Sequence, residues 1–217
     1  MNDPLPIVLI PGLRCSARLY TPQLPQLWRF GPVTVGNHTH ADTLPAIADD
    51  ILTTAPPRFA LIGLSMGGYI AFEILRRAPE RVVKLGLLDT SARADTPEQA
   101  QRRLEQIALT QAGRYDDTVT TQFGLLVHPS RRAETELWQT YRLMAQEIGP
   151  QVFVRTSTRD QPAGRFARGL DQDQGSDLGS GRRCRCVDAA VPCRGACRGH
   201  QGRPACGGCQ MRSPLNA

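Results

Sequence analysis

The sequence predicts an α/β protein with a mostly parallel sheet, helices on both faces and a helical insertion, and three observations carry that expectation. Short apolar runs punctuated by Pro and Gly, at 6–10, 59–62 and 81–89, read as buried strands. Between them lie segments with apolar residues at helical spacing, and strands alternating with helices imply a parallel sheet with right-handed crossovers. The third observation is an all-helical stretch, about 93–154, that carries no strand signal.

In chain order, Pro6-Ile-Val-Leu-Ile-Pro-Gly12 predicts a strand that ends in a Pro-Gly turn. Residues 17–29 suit a first helix, and Pro32 to Gly36 a short alternating strand. Thr43 and Pro45 open a helix through Ile47, Ile51 and Leu52, which Pro56-Pro57 ends. Phe59 to Ile62 predicts a strand buried on both faces, and Tyr69, Ile70, Phe72, Ile74 and Leu75 a helix packed on it. Arg81 to Asp89 predicts another buried strand. Thr96 as N-cap, Pro97 at the first helical position and Gln99 as capping-box partner start a helix that Gly113 stops. A further helix from about Arg132 carries Leu137, Tyr141 and Met144 at i, i+4 and i+7.

Between the strand at Phe59 and its helix lies Gly63-Leu64-Ser65-Met66-Gly67, a G-x-S-x-G pentapeptide in strand-turn-helix context. A serine forced into a sharp turn at a strand end needs neighbours without a Cβ, so that the helix passes close behind it. Its hydroxyl then projects alone, beside a helix N-terminus whose dipole favours a developing oxyanion. On these residues the chain resembles an α/β-hydrolase of the short, cap-bearing esterase type, over Pro6 to about Val154. The resemblance implies Ser65 as catalytic nucleophile, Gly63 and Gly67 as the elbow glycines, and the backbone N–H groups of Leu13 and Met66 as the oxyanion hole. Pro11-Gly12 alone reads as an ordinary turn. It further implies a hydrolase core over 1–92, a helical cap over 93–154, and hydrolysis of a small-molecule carboxylic ester, thioester or lactone. Trp138, Tyr141 and Met144 either line the acyl pocket or pack the helices on the core. No metal or organic cofactor is implied.

Charge and length bound the alternatives. The net charge of +6 suggests nucleic acid, but residues 155–217 hold eleven Arg against five Asp, leaving fifteen basic and fifteen acidic residues in 1–154. A neutral body argues against a nucleic-acid partner. No stretch approaches a membrane span and no leader pattern opens the chain, so a cytoplasmic location is expected. The sequence carries no signal for an oligomeric state.

The resemblance stops where the triad should be completed. A serine hydrolase needs an imidazole to take the Ser65 proton and a carboxylate to orient it. The family places them after the cap, following P-T-L-V-x-G and in C-G-H, and neither motif is present. His38 and His40 follow the second strand and read as solvated loop residues, as does His128 beside Pro129. From Arg155 the chain is rich in Gly, Arg, Gln and Cys without periodicity, which predicts a disordered, non-family tail over 155–217 and C-terminal strands missing or degenerate. Read one nucleotide later, the codons of Ser176–Gly181 can spell P-T-L-V-V-G, those from Arg183 D-A-D, and those of Met211–Ser213 C-G-H. Three ordered matches point to a frameshift, genuine or a sequencing error, from about 155. The rival readings are a non-catalytic small-molecule binder and a zinc module of Cys184, Cys186, Cys193, Cys197, His200, Cys206 and Cys209.

Overall fold

Four strands form a parallel sheet in the order β2-β1-β3-β4: β1 (Ile7–Ile10), β2 (Val33–Val35), β3 (Phe59–Leu64) and β4 (Val82–Leu88). A computed structural model describes residues 4–92, 95–158 and 187–188 of the chain. The last two form β5 (Val187–Asp188), antiparallel to β4 at Leu85 and Lys84. The expected disordered tail, the cysteine-rich zinc module, His200 and the shifted-frame motifs otherwise lie outside the described residues.

Side chains alternate across a strand, so each face of the sheet takes one parity of residues. Val8, Ile10, Phe59 and Leu61 pack under α2 (Leu44–Thr54) and α3 (Met66–Arg77), through Ile47, Ile51, Ile70 and Ile74. Ile7 and Leu9 face the other way, against Tyr20 and the segment around α1 (Leu24–Leu27). Thr43 caps α2 through Ala46 N–H at 3.2 Å, and Ala55 ends it ahead of Pro56. Arg81 then closes the far end of α2, donating to the carbonyls of Leu52, Ala55 and Pro56 at 2.7–3.1 Å.

Two expectations need correction. The single helix over 17–29 is a 3₁₀ turn (Ala17–Tyr20) followed by the four-residue α1, because Pro22 and Pro25 interrupt the ladder. β3 and β4 are not buried on both faces. β3 alternates buried and half-buried residues, since the face toward α1 is covered by so little helix, and Leu87 and Leu88 at the end of β4 are exposed.

Beyond β4 the helices form a layer of their own: α4 (Pro97–Gln111), α5 (Tyr115–Leu126) and α6 (Thr135–Ser157). α4 starts on the expected capping box, with Thr96 and Gln99 bonded reciprocally, and Gly113 follows its end at φ 80°. α6 bends at Gly149, whose φ of 76° and ψ of 164° are non-helical, just before Pro150. It runs to Ser157, three residues past the boundary drawn from composition at 154. That last turn belongs to the packed body. Phe153, Thr156 and Ser157 are buried, and Arg155 bridges Asp42 at 2.9 Å and donates to the Thr39 carbonyl.

Candidate active site

Ser65 stands between β3, in the middle of the sheet, and the first residue of α3. Its backbone has φ 50° and ψ −115°, a conformation disfavoured for any residue with a Cβ. The surroundings over-determine it. Ser65 N–H donates to the Leu88 carbonyl at 2.9 Å, and its own carbonyl accepts from Gly68 N–H at 2.9 Å and from the Thr90 hydroxyl at 2.8 Å. A Cβ on Gly63 would fall on the Gly67 carbonyl, and one on Gly67 would fall on the carbonyls of Ile10 and Pro11. Both positions therefore require glycine for the helix to pass this close behind two strands. The Ser65 side chain makes no capping bond, and the residue is exposed.

The turn after β1 lies against this elbow. A Cβ on Gly12 would sit 3.5 Å from the Ser65 Cβ, and Cys15 N–H closes the turn onto the Gly12 carbonyl at 3.0 Å. Neither Leu13 N–H nor Met66 N–H has a hydrogen-bond acceptor among the described residues. Leu13, Ser65 and Met66 line one cavity of about 880 Å³, while Gly63 and Gly67 stand behind it as the sterics demand.

Helices α4, α5 and α6 supply the opposite wall, through Gln106, Phe123, Tyr141 and Met144 among others. Tyr141 and Met144 do both things the sequence left open: they line the cavity and belong to the cluster that joins α5 to α6. Trp138 instead packs edge-on against Phe123, with ring centroids 5.0 Å apart.

Sequence reasoning missed Arg14. It follows Leu13 at φ 61°, is fully buried, and donates to the Thr118 carbonyl at 3.2 Å, to Thr118 Oγ1 at 2.8 Å and to Gln122 Oε1. Its guanidinium lies 3.6 Å from the Phe153 ring centroid and 5.3 Å from that of Tyr115. Burial pulls its pKa down, against the opposite pull of the Tyr141 and Tyr115 hydroxyls. A charged residue after a turn reads as exposed, and no local signal marks the pocket that holds this one. Asp89 was missed as well. It leaves β4 at φ 43° and lines the same cavity.

The histidines are elsewhere. No histidine is among the described residues lining the cavity. His40 is exposed, 3.6 Å from Asp50, and His128 bonds Ser130 within its own turn. His38, expected as a solvated loop residue, is 2% exposed, because the chain folds that loop inward after β2. Among the described residues there is also no group of three or more His, Cys, Asp or Glu side chains able to hold a metal, and no helix long and apolar enough to cross a membrane.

No protein-family model matches the chain. It is 54% identical over 43 residues, 20% of its length, to a pimeloyl-[acyl-carrier protein] methyl ester esterase of Hamiltonella defensa. It is 32% identical over 96 residues, 41% of its length, to a biotin biosynthesis bifunctional protein BioHC of Cellvibrio japonicus. The chain spans 17% and 19% of the lengths of these two relatives. Among solved structures, the enol-lactonase of Burkholderia xenovorans LB400 superposes with a TM-score of 0.63 at 19% identity, covering 72% of this chain and 64% of that one. With its parallel sheet and that superposition, the chain has the α/β-hydrolase fold.

Proposed function

We propose that the chain carries serine-hydrolase chemistry on a small-molecule carboxylic ester, thioester or lactone, with Ser65 as nucleophile. Ser65 Oγ attacks the acyl carbonyl, the Leu13 and Met66 N–H groups hold the oxyanion, and the alcohol or thiol leaves with a proton. Water then releases the acid and regenerates Ser65. The helices over 93–154 act as a cap that excludes water and shapes the acyl pocket. The observation that carries this reading is the φ of 50° at an exposed serine whose backbone is pinned on both sides and faces the cavity. Such strain persists where a site needs it. Because the Hamiltonella relative is named for a methyl ester, methyl esters of acyl chains are the first substrates to try.

No histidine stands among the described cavity-lining residues, and a serine site that works without such a base turns over slower by orders of magnitude than a complete triad. The same observation favours the second reading, a non-catalytic binder that keeps the pocket. A fluorophosphonate probe and p-nitrophenyl butyrate separate the two. The expected result is Ser65-dependent labelling with feeble turnover. A gene shifted by one nucleotide near codon 155 should restore the acid and the histidine, and with them turnover that Ser65→Ala abolishes. Labelling that survives Ser65→Ala ends the hydrolase reading, and absence of labelling in both reading frames favours the binder.

A further inference from the structure

Among the described residues the Arg14 charge has no counter-ion. The residue is fully buried, its guanidinium bonds the neutral oxygens of Thr118 and Gln122, and no carboxylate is among the groups that act on it. A buried charge held in this way is costly, and a negative charge brought near it offsets the cost. Arg14 does not itself line the cavity that Ser65 enters. Its chain neighbour Leu13 does, as do Gln122 and Phe153, which its guanidinium touches, so the charge lies just behind the wall.

Gln122 brings that charge to the surface of the cavity. A guanidinium has donors only, so the amide oxygen of Gln122 faces Arg14 and the amide nitrogen lies on the other side. No described residue bonds Nε2, and this atom stays open, unlike the sealed Tyr141 Oη and Ser157 Oγ. The result is a half-buried, cavity-lining residue with an unpartnered N–H donor. A cation bonded to the oxygen of an amide polarises it, and its N–H groups become stronger donors, above all toward an anionic oxygen.

We propose that Gln122 Nε2, backed by the Arg14 cation, is the donor for a carboxylate carried on the acyl arm of the ligand, beyond the carbonyl that Ser65 attacks. This rests on the reading of Ser65 as nucleophile and narrows its substrate class from esters in general to half-esters of dicarboxylic acids. The free carboxylate accepts from Gln122 and supplies the negative charge that Arg14 lacks. A dimethyl ester of the same acid offers the same donor an acceptor without charge, and so forfeits most of the gain.

The test measures binding, so it does not depend on turnover. Monomethyl esters of straight-chain dicarboxylic acids, about four to nine carbons long, are each compared with the dimethyl ester of the same acid, by calorimetry on the full chain carrying Ser65→Ala. At one length the half-ester should bind about tenfold tighter than its dimethyl ester. Gln122→Glu sets a carboxylate against Arg14, which neutralises the charge and removes the donor together, and the advantage of the half-ester should disappear. Gln122→Met removes the donor alone and should cut the advantage severalfold. Arg102, an exposed arginine that lines the same cavity from α4, separates this site from general attraction at the mouth, and Arg102→Ala should keep the advantage within about twofold. No advantage at any length, or no binding at all, overturns the proposal. An advantage that survives Gln122→Glu, or that vanishes with Arg102→Ala, overturns it equally. Should Gln122→Glu fail to fold, the ester series with Gln122→Met and Arg102→Ala still decides the matter. Fluorophosphonate labelling of Ser65 is scored separately. A labelled protein without a half-ester advantage refutes this inference alone, and an advantage without labelling leaves the carboxylate site standing in a binder.

Discussion

Removing the side chain of Ser65 should stabilise the protein, provided the replacement is glycine and not alanine. Ser65 is held at φ 50° and ψ −115°, and strain of that kind costs about 1–3 kcal/mol. The hydroxyl makes no capping bond, so its loss removes nothing from the helix end. The bonds that pin this turn run through backbone atoms, to Leu88, Gly68 and Thr90, and survive either substitution. Ser65→Gly releases the strain, while the added freedom of the unfolded chain returns about 0.5–1 kcal/mol of it. The net gain is about 1 kcal/mol, or a rise in Tm of about 2–4 °C for a protein of this size. Ser65→Ala keeps a Cβ in the disfavoured conformation and should remain within about 0.5 kcal/mol of the parent. Equilibrium urea unfolding of the three proteins in parallel reads the difference, because the two variants differ only by that Cβ. If Ser65→Gly is no more stable than Ser65→Ala, the turn is not strained, and the argument from strain to function fails with it.

Gly67→Ala should destabilise by about 3 kcal/mol, since the new methyl falls on the carbonyls of Ile10 and Pro11 and only backbone can yield; a midpoint unchanged in urea would refute the close approach. Burial pushes the Cys15 thiol up to about 11 from its ordinary value of 9.0. Since the thiolate is the reactive form, iodoacetamide at pH 8 should modify Cys15 about a hundredfold more slowly than an ordinary thiol, with a rate still rising above pH 9. Peptide mapping of the Cys15 adduct against pH checks it, and fast modification of the folded protein would contradict the burial.

What was legible in the sequence was local. The start of α4 needs only Thr96, Pro97 and Gln99, and its end only Gly113, all within three residues of the helix's own ends. The strands were legible because an apolar run between Pro and Gly leaves few alternatives. α5 was not singled out, and the reason is intrinsic preference. Thr118, Val119, Thr120 and Thr121 form a β-branched run, with Gly124 following, and such a run favours helix weakly. The helix forms because Tyr115, Val119 and Phe123, at i, i+4 and i+8, are buried against α6. Tertiary burial outweighs propensity there, and burial is a property of the whole chain. The exposure of Leu87 and Leu88 was hidden for a related reason, since an apolar strand does not reveal how much of its edge or face is covered.

The site divides along the same line. Ser65, Gly63 and Gly67 could be read because the elbow is a short-range steric device, and Met66 follows from it. Arg14 could not, because its partners Thr118 and Gln122 lie 104 and 108 residues away and Phe153 further still. Yet Arg14 decides how firmly Leu13 is placed. With no carboxylate bonded to it among the described residues, its charge is held by neutral oxygens of α5 and by the Phe153 ring of α6. Those contacts exist only while the helical layer is packed on the turn after β1. Half of the candidate oxyanion hole therefore depends on the helices opposite, while Met66, fixed by the elbow itself, does not. A change in α5 that never touches the cavity should loosen Leu13 N–H and leave Ser65 in place.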